Sequence, residues 1–360
     1  MIWSVQVLRF FAALMIVYLH TADEAMRSTG IIGSIPRELE QIGHSGVDIF
    51  FVTSGFIITK IAPGRSASEF MWSRFTRIFP MYLLFAIPIL AAEVAKLGIS
   101  GLGWRDAVAT LLLWPATDQV TVPALTVGWT LCFEMLFYAC AAVMLFDWRL
   151  VFAIIAIYGI AFLLRPIGPT FQFLGNPLIF EFLLGVAVSY IPGWRPGILG
   201  VPFGAILLVG AGFFGFLPVG SGESMLRGDE GIQRVLVFGI PAAMIVYGTL
   251  QVQARESIWT YLGGTSYSLY LSHTYPITLL FIFWKEFSIP TDLVILTSIS
   301  VSVLFAWRIH ELFEKPIMTA LKRRSPMHAI AATQKLKLPG SESFKAARTS
   351  SPISASSCDR

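Results

Sequence analysis

The feature that most constrains this chain is a series of apolar runs, each close to the length needed to cross a lipid bilayer. A spanning helix needs about 20 mostly apolar residues. Ten segments qualify as candidates: 3–20, 46–61, 79–97, 129–146, 149–165, 177–192, 198–217, 233–252, 265–284 and 292–312. The second is short. Another apolar stretch, 106–115, is too short to span and reads as a re-entrant or interfacial piece of a long loop. Hydrophobic residues make up 55% of the 360-residue chain and charged residues only 13%. Soluble domains have roughly 45–50% and about 25%. A water-soluble fold must clothe its outside in polar groups, and this chain has too few. A soluble enzyme, a disordered chain and a nucleic-acid-binding domain are excluded. The expected fold is an all-α polytopic integral membrane protein of about ten transmembrane helices in one bundle.

Orientation follows from the Lys and Arg of the loops. With the amino terminus in the cytoplasm, the inside loops carry Lys60, Arg65, Arg74, Arg77, Arg149, Arg195 and Arg255. The start of the C-terminal tail adds Arg308, Lys315, Lys322, Arg323 and Arg324. The outside loops carry fewer basic residues, and Asp23, Glu24, Glu223 and Asp229 fall among them. An even number of spans puts both termini in the cytoplasm. The first span lacks a short apolar core followed by a small-residue cleavage site, so it is not read as a cleaved signal peptide. Residues 1–320 form the expected membrane domain. Residues 321–360, rich in Ser, Ala, Lys and Pro, form an expected disordered cytoplasmic tail. The three cysteines provide no disulfide framework; Cys132 and Cys140 read as packing residues.

Ionisable side chains inside a span are costly, so each is a functional candidate. Arg9 and His20 share the first span, 11 residues apart. At about 100° per residue this brings them within about 20° of one face, separated by about 16 Å along the axis. Ala13 and Ile16 lie between them on that stripe. Each has a plain reading: snorkelling for Arg9, an interfacial polar residue for His20. One shared pathway accounts for both. A histidine can activate a hydroxyl as general base or carry an acyl group as nucleophile, and the sequence leaves both open.

Glu134 is expected in the outer third of the fourth span, at a depth near His20, where it could orient the imidazole, share its proton, or pair with an arginine. Asp48, opening the second span, suits either a helix N-terminal acid or a substrate contact. Glu181 is similar and reads as structural. His273, in the ninth span, either lines a substrate cavity or bonds a neighbouring helix; with Asp48 it is a candidate substrate-binding residue. Arg74 and Arg77 are i, i+3 and face one way on a helix. Their guanidinium forks match phosphate oxygens, although simple positive-inside anchoring also explains them. No phosphate loop, serine elbow or metal-ligand spacing occurs, so no metal site is expected.

Five stretches together resemble the membrane-bound acyltransferase family 3, which O-acylates bacterial surface and exported polysaccharides. These are Leu8–Leu14 with His20, Gly46–Phe56, Arg74–Tyr82, Trp129–Glu134 and Ser266–His273. The wording Arg9-Phe10-Phe11-Ala12-Ala13 is similar to the branch containing exopolysaccharide-production acetylases; it departs from the family at large, which often has Gly-Ile-Ala where this chain has Phe10-Phe11-Ala12. The resemblance covers about residues 3–318. It implies catalytic roles for His20, Glu134 and Arg9, and donor contacts from Arg74, Arg77 and Tyr82. It further implies acetyl-CoA or another acyl-CoA as donor, and a polysaccharide or lipid-linked oligosaccharide as acceptor. Other polysaccharide-assembly proteins are implied partners, and the expected location is the bacterial inner membrane. No esterase-like outer domain follows the last span, so acceptor choice is expected to rest on the bundle and its loops. A transporter or flippase is the competing class, but the paired interrupted helices of inverted repeats are not found. A non-catalytic membrane sensor or scaffold is a third.

Overall fold

The structure is a computed structural model. It describes residues 2–30, 33–97, 103–218, 220–284, 287 and 289–323. Most of the expected C-terminal tail, with Cys358, lies outside the described residues.

The described residues are overwhelmingly helical and contain no strand, only an isolated bridge between Ala116 and Val120. Each of the ten expected spans corresponds to a helical segment. Eight are long and apolar enough to cross a membrane: Trp3–Ser28, Arg37–Ile61, Ala67–Lys96, Thr126–Phe146, Pro169–Tyr190, Arg195–Phe213, Gly231–Leu250 and Thr291–Leu321. Two apolar helices are shorter, Leu150–Leu163 and Thr274–Trp284. The principal helices are labelled α1 (Trp3–Thr29), α2 (Ser45–Ile61), α3 (Ala67–Leu97), α4 (Trp104–Leu112), α5 (Trp129–Phe146), α6 (Leu150–Leu163) and α7 (Ile179–Tyr190). They continue as α8 (Gly200–Phe213), α9 (Ile240–Leu250), α10 (Ser266–Ser272), α11 (Thr274–Trp284) and α12 (Thr291–Ile309).

Helix ends follow local chemistry. α1 continues nine residues past the expected boundary and closes at Gly30, whose φ of 71° is left-handed and whose N–H donates to Met26 O at 2.9 Å. The short α4, on the stretch expected as a loop segment, begins where the Asp106 carboxylate accepts the Gly103 N–H at 3.0 Å. The ninth expected span is broken at His273 into α10 and α11. Pro276 lacks the N–H that would have bonded the Ser272 carbonyl four residues back.

The bundle has an apolar core like a soluble protein's, but its exterior is apolar as well. Phe152, Ile155, Phe203, Ile206, Phe213, Leu296 and Leu304 point outward from α6, α8 and α12, each more than half exposed. That is the surface lipid requires. The interior holds Asp48, Glu181, Arg234 and His273 at 0–1% exposure. α2 and α7 approach most closely at Gly55 and Gly185. A Cβ on Gly55 would collide with the Phe182 carbonyl, and one on Gly185 with the Val52 carbonyl. Small residues permit such backbone contact in a bundle whose apolar exterior gives little driving force for association. Beside this crossing Phe51, Phe182 and Phe137 stack, at 4.6 Å and 4.7 Å between ring centroids.

Candidate active site

Two cavities open at opposite ends of α1. The larger, about 650 Å³, is lined by Ile16, His20, Asp23, Glu24 and Arg27 of α1, with His44, Trp129, Arg234, Tyr270, Thr274 and the turn Gly220–Glu223. The other, about 420 Å³, lies around the start of α1 and is lined by Gln6, Arg9, Ser54, Lys60, Arg74, Arg77, Glu134 and Tyr138. Between them lies a chamber of about 50 Å³. It shares Val47 and Tyr270 with the first cavity, and Arg9, Ser54, Arg77 and Glu134 with the second. Phe50 and Tyr270, with ring centroids 5.8 Å apart, narrow it. One stripe of α1 therefore serves all three, with Arg9 at one end and Ile16 and His20 at the other, as the 3.6-residue period dictates.

The two ends differ in charge. Arg9, Lys60, Arg74 and Arg77 face a single carboxylate, Glu134, across the second cavity. None of Arg9, Arg74 and Arg77 is in an ion pair among the described residues. Their guanidiniums lie over aromatic faces instead: Arg9 over Phe50 at 5.6 Å, Arg74 over Tyr138 at 5.8 Å and Arg77 over Tyr267 at 5.9 Å. Guanidiniums held this way keep donors free for an anion. Glu134 accepts hydrogen bonds from Ser54 Oγ at 3.1 Å and from the Tyr138 hydroxyl.

In the first cavity the charges are matched. Arg37 binds Asp23 at 2.9 Å, Arg27 lies 3.6 Å from Glu24, and Arg227 pairs with Glu223. Arg234 is held by Asp48 through both oxygens, Nε to Oδ1 at 3.0 Å and a terminal nitrogen to Oδ2 at 2.8 Å, and also donates to His44 O at 3.2 Å. The His20 imidazole stacks on that of His273, with Nδ1 of His20 2.8 Å from Nε2 of His273.

Several expectations need correction. Glu134 does not lie beside His20: it lines the chamber and the cation-rich cavity, and the group against the imidazole is His273. Reckoning depth from the ends of apolar runs assumed that each run ends at the membrane boundary, and α1 continues nine residues past His20. Asp48 faces neither cavity; it is fully buried and holds Arg234, which does. Of the two readings of His273, the structure takes the second: it is fully buried and bonds His20 on a neighbouring helix, and does not line the cavity. Tyr82 is fully buried against Gly128. Five residues beyond Arg77 it is turned about 140° away around the helix, so it does not share the wall of the two arginines. The residues the sequence reading missed are Arg234 and His44. Arg234 sits at the edge of an apolar run and counted only as a loop charge. No residue pattern marks it; only the structure shows the π-helical turn that follows it, Val235–Gly239, a feature frequent at functional sites.

Among the described residues, no group of three or more His, Cys, Asp or Glu could hold a metal ion. A membrane-embedded helical bundle with an imidazole in one cavity and free guanidiniums in another suits transfer of a group from an anionic carrier. The comparisons identify that class. A family model described as an acyltransferase domain matches residues 2–310, and the chain belongs to this acyltransferase family. It is therefore a multi-pass membrane acyltransferase. It is similar to the exopolysaccharide production protein ExoZ of Rhizobium meliloti (strain 1021), 34% identical over 261 residues, covering 66% of this chain and 77% of that protein. It is also similar to the acyltransferase MdmB of Streptomyces mycarofaciens, 28% identical over 138 residues, 36% of each chain. No solved structure matches it.

Proposed function

We propose that this protein transfers an acyl group, acetyl in the first instance, from cytoplasmic acyl-CoA to a hydroxyl of an exported polysaccharide or its lipid-linked precursor. It would do so in the bacterial inner membrane, with both termini in the cytoplasm and alongside other polysaccharide-assembly proteins. The observation that carries this reading is the pair of unlike cavities meeting at one small chamber. The unpaired Arg74 and Arg77 suit the phosphates of the donor, whose thin pantetheine arm enters past Arg9. The donor nucleotide then never crosses lipid. The large, charge-matched cavity around His20 suits a polar, bulky glycan.

In this scheme Nε2 of His20 takes the proton of the acceptor hydroxyl as its oxygen attacks the thioester carbonyl. The C–O bond forms, the C–S bond breaks, and the thiolate leaves with that proton as free CoA thiol. Arg9 holds the donor arm in the chamber, so that the thioester at its tip reaches past Tyr270 to the cavity of His20. Glu134, tied to Ser54 and Tyr138, is the chamber's one carboxylate and the second catalytic residue of the scheme beside His20. The test is transfer of label from acetyl-CoA to the native glycan by membranes containing the protein. Label should appear as an ester on the glycan, and NMR of glycan from a deletion strain should lack it. Wild-type membranes that leave the glycan unlabelled, with glycan of unchanged acylation in the deletion strain, overturn the reading.

A further inference from the structure

The imidazole of His273 is fully buried, faces no cavity and is bonded at both nitrogens. Its Nδ1 lies 3.0 Å from the carbonyl oxygen of Leu269, one turn earlier. A carbonyl can only accept, so Nδ1 carries the hydrogen. A buried imidazole with no carboxylate against it is neutral, and in a neutral ring the other nitrogen is an acceptor. Nε2 of His273 must then receive the hydrogen on Nδ1 of His20, 2.8 Å away. With its Nδ1 protonated, neutral His20 keeps a bare lone pair on Nε2, which has no protein partner among the described residues. His20 lines the large cavity.

We propose that His273 is the positioning residue that selects the reactive tautomer of His20, through a relay running from the Leu269 carbonyl to His273 to His20. This rests on the reading of His20 as the base given above. His273 sits at the junction of α10 and α11 and keeps the helical register of α10, its N–H bonded to Leu269 O at 3.2 Å. The same helix supplies Tyr270 to the narrow chamber, so a single element sets both the width of the passage and the orientation of the base. The relay takes up no proton and consumes no co-reactant; it decides which nitrogen faces the acceptor.

The role separates from structural hydrogen bonding by replacing His273 with side chains that keep different halves of the relay. Gln can present an oxygen where Nε2 stood and still accept from His20. Asn can reach Leu269 but not His20, and Phe keeps the ring without either bond. Each variant is assayed in membranes at matched abundance with labelled acetyl-CoA and the native glycan, beside wild type and His20→Ala. His273→Phe and His273→Asn should lower kcat by about 10²-fold, the lower end of what a positioned base contributes, with KM for donor and acceptor within about twofold. His273→Gln should recover at least a tenth of the wild-type kcat. If Phe does not accumulate, the Gln and Asn pair decides alone. Equal kcat for Gln and Asn, or a loss confined to KM, overturns the proposal. A wild-type enzyme that transfers no acyl group overturns the functional reading instead.

Discussion

The two cavities solve opposite electrostatic problems. Around His20 nearly every charge has a protein partner, and the deepest, Arg234, is fixed by both oxygens of Asp48. Around Arg74 and Arg77 the cations rest on aromatic rings and wait. A matched cavity is preorganised for a neutral polar ligand, because it need not rearrange to admit one. An unmatched cavity keeps repulsion that only an anion relieves. The difference teaches that the two ends suit ligands of unlike charge, and the proposed donor is assigned to the unmatched one on that ground.

The comparison can be broken in descending order of effect. His20→Ala should lower kcat by about 10²–10⁴-fold while donor KM stays near wild type; an undiminished kcat would remove the base from the larger cavity. Asp48→Ala leaves Arg234 buried without its counter-charge, a loss of about 3–5 kcal/mol, read as a fall in melting temperature in detergent. Asp48→Ala with Arg234→Met should recover much of that stability. Arg74→Ala with Arg77→Ala should raise KM for acyl-CoA by about 10–100-fold, as loss of charge-assisted bonds implies, and change kcat at saturation much less. An unchanged KM would show that the free cations do not hold the donor.

The smallest effect concerns an exposed ion pair, Arg105 with Asp118, on the segment leading to the first cavity. The Arg105 guanidinium holds the Asp118 carboxyl well below its ordinary range. The sign follows: any stability from the pair is present above the unfolded carboxylate value and lost as pH falls through the lower folded one. Both groups are solvated and screened, so Asp118→Asn should leave the melting temperature unchanged between pH 5 and 8. A clear drop would mean that this segment braces the cavity.

The register of Arg9 with His20 was legible in the sequence, since an α-helix has one period and eleven residues close three turns. So was the shared direction of Arg74 and Arg77, which meet Arg9 in one cavity. Tyr82 came in with the family motif, and a motif does not say which helical face each of its residues takes; here Tyr82 is buried away from the two arginines. Asp48 was misjudged because its partner, Arg234, lies 186 residues away.

Solvent choice belongs to each segment: a run of about 20 apolar residues partitions into lipid whatever its neighbours do. Composition and run length therefore determined the all-helical membrane architecture and most helix positions. Which side chains meet across helices depends on the height, rotation and tilt of each helix. Those are settled jointly by close contacts such as Gly55 on Phe182 and Gly185 on Val52. Only the tertiary structure could decide that His20 meets His273, that Glu134 stands with the arginines, and that the polar interior divides into two unlike cavities.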